Sequence, residues 1–260
     1  MYIFSQVSLL ITHYNRSESL FNLLHSYKKL NCSFGETVVS DDGSRIEHLD
    51  QIKLLQKEFG FKLVITPRNQ GLGHNINKGQ DAVTKAYTLY VQEDFEPAIN
   101  FPEKFSEALK LMDGNQNLDI VKFYAYYAYP YLKPFNSNYS EMYLPTFGRD
   151  YTKIYFYTDH PHLRRSTFFQ KFGRYPEGIK GDLTEYKMCI SFLQNKGQGL
   201  FYNDFSNLFL QKNSEEEPST MIRESWKQKN GRMTKLVRYF YRQFKYNYDI
   251  LTQPPLKTKK

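Results

Sequence analysis

The decapeptide VSLLITHYNR, residues 7–16, joins an apolar run directly to a polar turn. A short, near-continuous apolar run is typical of a strand that is buried on both faces of a parallel sheet. After the turn, apolar side chains recur at helical spacing between Leu20 and Tyr27, and Ser17 is the expected N-cap of that helix. The decapeptide therefore predicts the first strand-to-helix unit of an α/β protein.

The same alternation continues through the first half of the chain. Further strand-like apolar runs occupy residues 37–40, 62–66, 88–92 and 120–124. Helical patterns lie over residues 49–59 and 75–85 and from Pro102 onward. Strands that alternate with helices at this spacing favour right-handed strand–helix–strand units and a mainly parallel sheet.

Polar clusters follow four of these predicted strands. They are His13–Arg16, Asp41–Asp42, Arg68–Asn69 and Glu93–Asp94. In open parallel sheets, ligands bind outside the carboxyl ends of the strands. The sequence therefore predicts one binding site along this edge of the sheet.

Three motifs occur in the order of a known family. They are Thr12–Arg16 (THYNR), Val39–Ser44 (VSDDGS) and Asn69–Gly79 (NQGLGHNINKG). In these motifs the chain resembles the family 2 glycosyltransferases of the GT-A fold, which carry T-x-Y-N-R, V-D-D-G-S and N-x-G-x-x-x-A-x-N-x-G. The resemblance extends over residues 7–200 in outline and is specific over residues 7–97.

The resemblance implies an α/β protein of the GT-A type, with a mainly parallel, Rossmann-like sheet flanked by helices. Residues 1–97 are then the nucleotide-sugar-binding half, residues 98–212 a smaller acceptor-binding half of the same domain, and residues 213–260 a basic, aromatic, helical tail. The implied activity is inverting, metal-assisted transfer of one sugar from a nucleoside-diphosphate sugar, a UDP-sugar being favoured, to a hydroxyl of a glycan or lipid-linked acceptor. The implied setting is synthesis of a cell-surface polysaccharide or glycolipid.

A nucleotide sugar presents a flat base with polar edges, ribose hydroxyls and a diphosphate. Carboxylates such as Asp41 or Asp42 suit uracil N3–H or the ribose hydroxyls, and Arg68 has forked donors for the diphosphate. The residues expected to bind the nucleotide sugar are Thr12, Tyr14, Asn15, Arg16, Asp41, Asp42, Arg68, Asn69, Gly71, Asn75, Gln92 and Glu93. A surface turn after the second strand and a helix cap before the third helix stay open as structural alternatives.

An acidic cluster, QEDFEP at residues 92–97, follows the fourth strand. The resemblance implies a D-x-D motif here, where Mn²⁺ or Mg²⁺ neutralises the departing diphosphate. Gln92 replaces the first acid of that motif, and an amide is a poorer metal ligand than a carboxylate. Asp94 matches the metal-binding position, followed by Glu93 and then Glu96, while a solvated strand end is the structural alternative.

A second metal hypothesis concerns the stretch Asp159-His160-Pro161-His162. On a strand, His160 and His162 would lie on one face, so that one of them binds the metal or contacts phosphate. A structural or acceptor-contacting role is the alternative. Arg164 and Arg165, which follow, indicate either a nearby anionic phosphate or a solvated face.

Inverting transfer needs a general base for the acceptor hydroxyl, and the resemblance implies an acid near the start of a late helix. The stretch GDLTEY, residues 181–186, contains Glu185, which fits the family's usual position best, and Asp182. The family's paired acids are not preserved here. Either residue would also be favoured structurally by the dipole of a helix N-terminus.

The tyrosine-rich segment 125–157 is predicted to be a long loop, and its part 125–150 would offer aromatic faces for stacking on the acceptor sugar. A strand-to-helix unit over residues 154–173 and a helix over residues 183–195 are expected after it.

The composition is both basic and aromatic, with a formal net charge of +8 and 17% aromatic residues. Basic residues recur from Arg223 onward, and aromatic residues interleave with them over Met233–Tyr248. This tail either lies on an anionic membrane surface as a peripheral contact or packs as a helix on the catalytic domain. Because no nucleic-acid-binding module is recognisable, a nucleic-acid partner is not expected.

Other features bear on the cellular setting and on the alternatives. No apolar run approaches the length of a membrane span, the chain start predicts a strand rather than a signal peptide, and two cysteines are too few for a disulfide framework. A cytoplasmic protein, at the cytoplasmic face of a membrane if the tail binds lipid, is expected. Two other functions stay open: a non-catalytic nucleotide-sugar or glycan-binding module, and a nucleotidyltransferase, although His13–Arg16 lacks the glycines of a phosphate loop.

Overall fold

The computed structural model describes residues 1–145, 150–212 and 232–258. Within these residues the strands are β1 Tyr2–His13, β2 Cys32–Asp41, β3 Lys62–Ile65, β4 Tyr87–Gln92, β5 Phe95–Pro97, β6 Ile120–Lys122, β7 Leu132–Pro134, β8 Tyr139–Met142, β9 His162–Arg165, β10 Gly199–Tyr202 and β11 Phe209–Gln211. The helices are α1 Ser17–Lys29, α2 Ile46–Phe59, α3 Leu72–Ala82, α4 Phe101–Gly114, α5 Phe168–Phe172, α6 Gly181–Gln194 and α7 Arg232–Thr252, together with a 3-10 helix over Tyr151–Tyr155.

One large sheet organises the described residues, with the strand order β3-β2-β1-β4-β9-β6-β10-β8-β7. The first four strands of this order are parallel to one another, and β5 and β11 form a separate antiparallel pair. The α/β fold with a mainly parallel sheet flanked by helices is thus confirmed. Since β1, β2 and β4 run in the same direction, their polar carboxyl ends meet at one edge.

The apolar run of β1 is buried because helices cover both faces of the sheet. Leu9 and Ile11 belong to one apolar cluster, whereas Leu10, between them, belongs to the other. The first cluster takes residues from α1, α2 and α4, and the second from α3, α5 and α6. Burial of each large apolar side chain contributes about 1.5–3 kcal/mol, so alternate side chains of β1 bind both helical layers to the sheet.

The predicted fifth strand exists as β6, but it does not pair with β4. Strand β9 lies between them and is antiparallel to both, so that Tyr90, His162 and Lys122 stand side by side across three strands. Residues 158–160, which precede β9, therefore reach the same edge as the carboxyl ends of the parallel strands. Local sequence patterns indicate a strand but do not specify its neighbour.

Three local predictions need correction. Arg16 rather than Ser17 occupies the N-cap position of α1, and the hydroxyl of Ser17 instead lies 2.9 Å from Nδ1 of His48. Helix α3 begins at Leu72, because Gly71 adopts a positive φ of 89° and ends the preceding loop there. The segment predicted as a loop over 125–157 contains β7, β8 and the 3-10 helix.

The described part of the tail is the helix α7, which packs on α6. Tyr186 donates a hydrogen bond to Oδ2 of Asp249 at 2.6 Å, and the Gln194 amide donates to the carbonyl of Ile250 at 3.0 Å. The basic residues predicted to begin the tail, Arg223, Lys227 and Lys229, lie outside the described residues. In the described parts of the chain, no helix combines the length and the apolar character that crossing a bilayer requires.

Candidate functional site

A cavity of about 600 Å³ opens at the edge of the sheet where β1, β2 and β4 end. The amino-terminal ends of α3 and α6 form one side of it, and the end of β6 and the segment before β9 form another. Among its lining residues are thirteen that the sequence singled out: Thr12, Tyr14, Arg16, Asp42, Asn69, Gly71, Asn75, Gln92, Glu93, Asp94, His160, Asp182 and Glu185.

Five other residues that the sequence singled out do not line this cavity: Asn15, Asp41, Arg68, Glu96 and His162. Two of them, Asp41 and Asn15, stabilise turns beside it. Both carboxylate oxygens of Asp41 accept the Ser44 amide at 3.1 Å, and the side chain is fully buried. Burial alone would raise the pKa of Asp41, but hydrogen bonds from His13 and Ser44 outweigh it and lower the pKa. Asn15 uses its side-chain oxygen to accept the Arg45 amide at 2.8 Å.

The remaining three residues, Arg68, Glu96 and His162, lie away from the cavity. The side chain of Arg68 is exposed outside the cavity, and Glu96 on β5 forms an ion pair of 3.0 Å with Lys212. His162 is fully buried in β9, where its Nδ1–H donates to the carbonyl of His160 at 2.7 Å. Since β9 begins at His162, the two histidines do not share a strand face as the sequence predicted.

Asp42 holds the loop that leads into α3. Its carboxylate accepts the backbone N–H groups of Gln70 at 3.0 Å and Gly71 at 2.8 Å. Burial raises the pKa of Asp42 against these two hydrogen bonds. The neighbouring Gly43 has a φ of 73°, and a Cβ there would approach the Arg68 backbone to 2.4 Å. The Asp-Gly turn is therefore required by this close packing.

The acidic cluster after β4 is paired with Arg16 from the first turn. Nη1 of Arg16 lies 3.2 Å from Oδ2 of Asp94 and 3.8 Å from Oε1 of Glu93. The Gln211 amide also donates to Oδ2 of Asp94, at 2.9 Å. A guanidinium thus lies among carboxylates at the end of β4.

Asp159 and Glu185 form a pair of carboxyl groups deeper in the cavity. The Asp159 amide donates to Oε1 of Glu185 at 3.3 Å, and Gln92 Nε2 donates to Oδ2 of Asp159 at 3.4 Å. Burial raises the pKa of Asp159 to about 6, although its hydrogen bond with Glu185 lowers it. Burial and the charge of Asp159 raise the pKa of Glu185 well above its ordinary value. Both shifts favour the protonated forms of these carboxyl groups relative to free ones.

Lys122 is a cavity residue that the sequence analysis did not identify. It ends the buried strand β6, its side chain is 1% exposed, and Nζ donates to the Tyr155 carbonyl at 3.0 Å. Burial lowers its pKa to about 8, while the charges of Glu185 and Asp159 oppose that shift. The sequence does contain a signal that could have identified Lys122, namely a lysine at the end of an apolar, strand-like run. Asp159 was noticed only as a neighbour of the two histidines.

His160 lies in a group of aromatic rings. Its ring centre is 4.8 Å from that of Tyr126 and 5.4 Å from that of Tyr124. Burial, together with the charge of Lys122, lowers the pKa of His160 to about 3, so the ring is neutral. Over the described ranges, no cluster of three or more His, Cys, Asp or Glu side chains has the arrangement of a metal site.

Tyrosines form the outer wall of the cavity on the side of the 125–129 segment. Tyr127 is 85% exposed and Tyr126 is half exposed, while Tyr155 from the 3-10 helix faces the same space. Exposed aromatic faces beside a polar cavity are suited to stacking on sugar rings.

The family assignment follows from the sequence that builds this edge. The model of the family described as "Glycosyl transferase family 2" matches residues 8–173, a range that includes the first turn, the Asp-Gly turn and the acidic cluster. The chain belongs to glycosyl transferase family 2. No curated protein gives a significant match to it.

Solved structures share the fold of this family 2 chain. TarS from S. aureus in complex with UDP-GlcNAc matches with a TM-score of 0.62 and 18% identity, covering 84% of this chain and 62% of that chain. A mannosyltransferase, PcManGT from Pyrobaculum calidifontis, in complex with GDP-Man and Mn²⁺, matches with a TM-score of 0.52 and 12% identity, covering 77% and 55%. GalNAc-T7 with UDP, GalNAc and Mn²⁺ matches with a TM-score of 0.54 and 15% identity, covering 76% and 42%.

These neighbours are GT-A glycosyltransferases, so the likeness establishes a GT-A fold for this family 2 chain. The chain spans less than two thirds of the length of each of the three. At these identities the likeness concerns the fold alone.

Proposed function

We propose that the chain transfers one sugar from a nucleoside diphosphate to a hydroxyl of a glycan or lipid-linked acceptor. The observation that carries this proposal is the single cavity in which Asp42, Gln92 and Asp94 from the strand ends meet Asp182 and Glu185 from α6. Strand ends suit the nucleotide, and the acids of α6 suit proton transfer from the acceptor. Synthesis of a cell-surface polysaccharide or glycolipid is the setting we infer.

The nucleotide belongs against β1, β2 and α3 in this proposal. Thr12, Asp42 and Asn75 line that part of the cavity, and their oxygens and amides match the polar edges of a base and a ribose. A UDP-sugar is favoured, in keeping with the UDP-GlcNAc and UDP bound by two of the structural neighbours, while a third binds GDP-Man.

The residues at the acidic cluster fit a divalent metal that takes most of its ligands from the substrate. Oδ2 of Asp94 lies beside Nη1 of Arg16 and accepts from the Gln211 amide, and the carboxylate has a second oxygen, Oδ1, that could bind a metal. Mg²⁺ and Mn²⁺ commonly bind through one or two carboxylates plus phosphate oxygens and water. Asp94, with Glu93 beside it, would hold the ion. When bound, the metal offsets the charge that develops on the departing diphosphate.

Asp182 is the base that we propose for the acceptor hydroxyl. It lines the cavity as an exposed carboxylate in the first turn of α6. Glu185 is the poorer base, because its carboxylate already accepts the Asp159 amide. The acceptor oxygen forms its bond to the anomeric carbon as its proton passes to Asp182. The bond from that carbon to the diphosphate oxygen breaks, and the diphosphate leaves with the electron pair. The result is inversion at that carbon.

The acceptor approaches along the tyrosine wall, and a lipid carrier would bring it there at a membrane surface. The 3-10 helix that contributes Tyr155 to the cavity also contacts α7, since the ring of Tyr151 lies 5.7 Å from that of Tyr239. The exposed side chains of α7 include Phe240, Phe244 and Tyr248, and the chain has a formal net charge of +8, a combination that suits the cytoplasmic surface of an anionic membrane.

Thermal-shift measurements with UDP-, GDP- and dTDP-sugars, with and without Mn²⁺, test the ligand class. A glycosyltransferase is stabilised by one nucleotide sugar and releases its nucleoside diphosphate when the acceptor is supplied. A non-catalytic binding module is stabilised without any release. Pyrophosphate release from a nucleoside triphosphate would instead identify a nucleotidyltransferase, and no stabilisation by any nucleotide would contradict all three.

A further inference from the structure

Lys122 has donor capacity that the described residues do not use. Its ammonium carries three N–H donors and makes one hydrogen bond within the described residues, to the Tyr155 carbonyl. Nζ also lies 5.9 Å from the centre of the Phe201 ring, a cation–π distance. At least one donor is therefore left for a molecule in the cavity, which Lys122 lines. A buried charge is costly unless its donors are used.

Acceptor groups line the same cavity as this ammonium. Lys122, Asp159 and Glu185 all face it, and the charges of the two carboxyl groups raise the pKa of Lys122. The carboxyl groups of the pair retain oxygens beyond those used by the Asp159 amide and by Gln92. The cluster thus offers a donor and several acceptors at one place. Sugar hydroxyls, each a donor and an acceptor, match such a mixture.

The cluster begins where the diphosphate end of the cavity stops. Gln92 ends β4 two residues before Asp94, and its amide reaches Asp159. A nucleoside diphosphate seated against β1, β2 and α3, with its phosphates at Asp94, therefore directs its sugar toward Asp159 and Lys122. This step rests on the proposed function.

We propose that Lys122, Asp159 and Glu185 form the donor-sugar subsite and select a neutral sugar. Lys122 donates to sugar hydroxyl or amide oxygens, and the carboxyl pair accepts from sugar hydroxyls. The ammonium is balanced by the carboxyl pair, so no surplus positive charge is left to bind an anionic sugar such as a uronic acid. Gln92 joins this subsite to the diphosphate end, which gives a role to the residue that departs from the D-x-D motif.

Calorimetric titration with UDP and a panel of UDP-sugars in Mn²⁺ tests the subsite. The panel contains UDP-glucose, UDP-galactose, UDP-GlcNAc, UDP-GalNAc and UDP-glucuronic acid. We expect one neutral UDP-sugar to bind the wild-type chain more tightly than UDP, and UDP-glucuronic acid to lack that advantage. Lys122→Met should reduce the ratio of the Kd of UDP to the Kd of that UDP-sugar at least fivefold, while it changes the Kd of UDP itself less than twofold. Lys133→Met, the same substitution at an exposed position of β7, is the matched control and should change neither.

Two results would overturn the subsite while leaving the proposed function intact. One is an unchanged ratio of UDP to UDP-sugar affinity in Lys122→Met, and the other is a wild-type chain that binds UDP and every UDP-sugar equally. If Lys122→Met fails to fold, Glu185→Gln, which retains the shape of the side chain, must lower the same ratio. If the wild-type chain binds UDP-glucuronic acid best, the sugar is not neutral and the proposal is wrong. A chain that binds no nucleoside diphosphate at all contradicts the proposed function itself.

Discussion

The backbone amide of Asp159 donates to Oε1 of Glu185 at 3.3 Å, and this contact joins the segment before β9 to helix α6. The two side chains bring a pair of carboxyl groups to the cavity that Lys122 also lines. Because Asp159 is buried, with a half-buried carboxyl group next to it, ionisation of Asp159 is costly. The contact consequently has a measurable effect on how stability varies with pH.

The first prediction concerns that pH dependence. Burial raises the pKa of Asp159 from 3.8 to about 6. Between pH 4 and pH 6 the folded chain therefore keeps a proton that the unfolded chain releases, and the free energy of unfolding falls as pH rises through this window. Asp159→Asn should remove about 2–3 kcal/mol of that fall. Denaturant unfolding at pH 4, 5 and 6 measures it.

Asp50→Asn is the matched control, because Asp50 is an exposed aspartate on α2 whose partner is Lys53. The free energy of unfolding of this variant should fall between pH 4 and pH 6 by the same amount as that of the wild-type chain. If Asp159→Asn also runs parallel to the wild type, the carboxyl pair does not hold the proton that we assign to it.

The second prediction separates two acids of the cluster after β4. Asp94 lines the cavity beside Arg16, whereas Glu96 is paired with Lys212 outside it. Asp94→Asn should lower turnover roughly 10²–10³-fold, because charge on the leaving diphosphate is then less well offset. Glu96→Gln should change turnover less than about threefold, because it removes an ion pair with Lys212 that lies outside the cavity. Diphosphate release over a Mn²⁺ titration measures both, and equal losses would contradict the metal assignment.

The third prediction distinguishes the two acids of α6. Asp182→Asn should lower kcat roughly 10²–10⁴-fold, the usual contribution of a general base, with little change in KM for the nucleotide sugar. Glu185→Gln should act mainly on KM, since its amide retains the shape and part of the hydrogen bonding of the protonated acid. The opposite pattern, with kcat lost only in Glu185→Gln, would make Glu185 the base.

The sequence predicted the first four strands of the sheet and the helices between them because their apolar periodicities are local. It could not predict the neighbour of β6, since β9 inserts from more than thirty residues later in the chain. Lys122 and Asp159 were missed for the same reason: their partners, Tyr155 and Glu185, lie 33 and 26 residues away. Such contacts follow from topology rather than from spacing.

The sequence also does not show which of the adjacent acids Asp41 and Asp42 faces the cavity. Both follow a strand-like run, and the motif alone gives them equal standing. In the structure Asp41 turns inward to hold Ser44, while Asp42 lines the cavity and holds the loop before α3. Only the end point of β2 decides which carboxylate faces the cavity, and strand boundaries are the least certain part of a sequence-based prediction.

The fourth prediction concerns the outward face of α7. Phe240, Phe244 and Tyr248 follow one another at i, i+4 spacing, and Phe244 is 77% exposed. Arg238 of the same helix is half-buried, whereas Lys245 is paired with Asp249 on the side of α7 that faces α6. Vesicles that contain anionic phosphatidylglycerol should therefore bind the chain, and 0.5 M salt should weaken the binding because it screens the basic residues.

Phe240→Glu combined with Phe244→Glu should reduce vesicle binding at least tenfold, because it removes the two inserted rings and adds negative charge. The matched control is Ile99→Glu, which changes an apolar side chain that is 86% exposed on another part of the surface and should leave binding unchanged. Co-sedimentation with anionic and with neutral vesicles measures each variant, and circular dichroism shows whether α7 stays helical. Wild-type binding equal to that of the double variant would mean that this face of α7 does not contact lipid, and a loss of the same size in Ile99→Glu would assign the effect to charge alone.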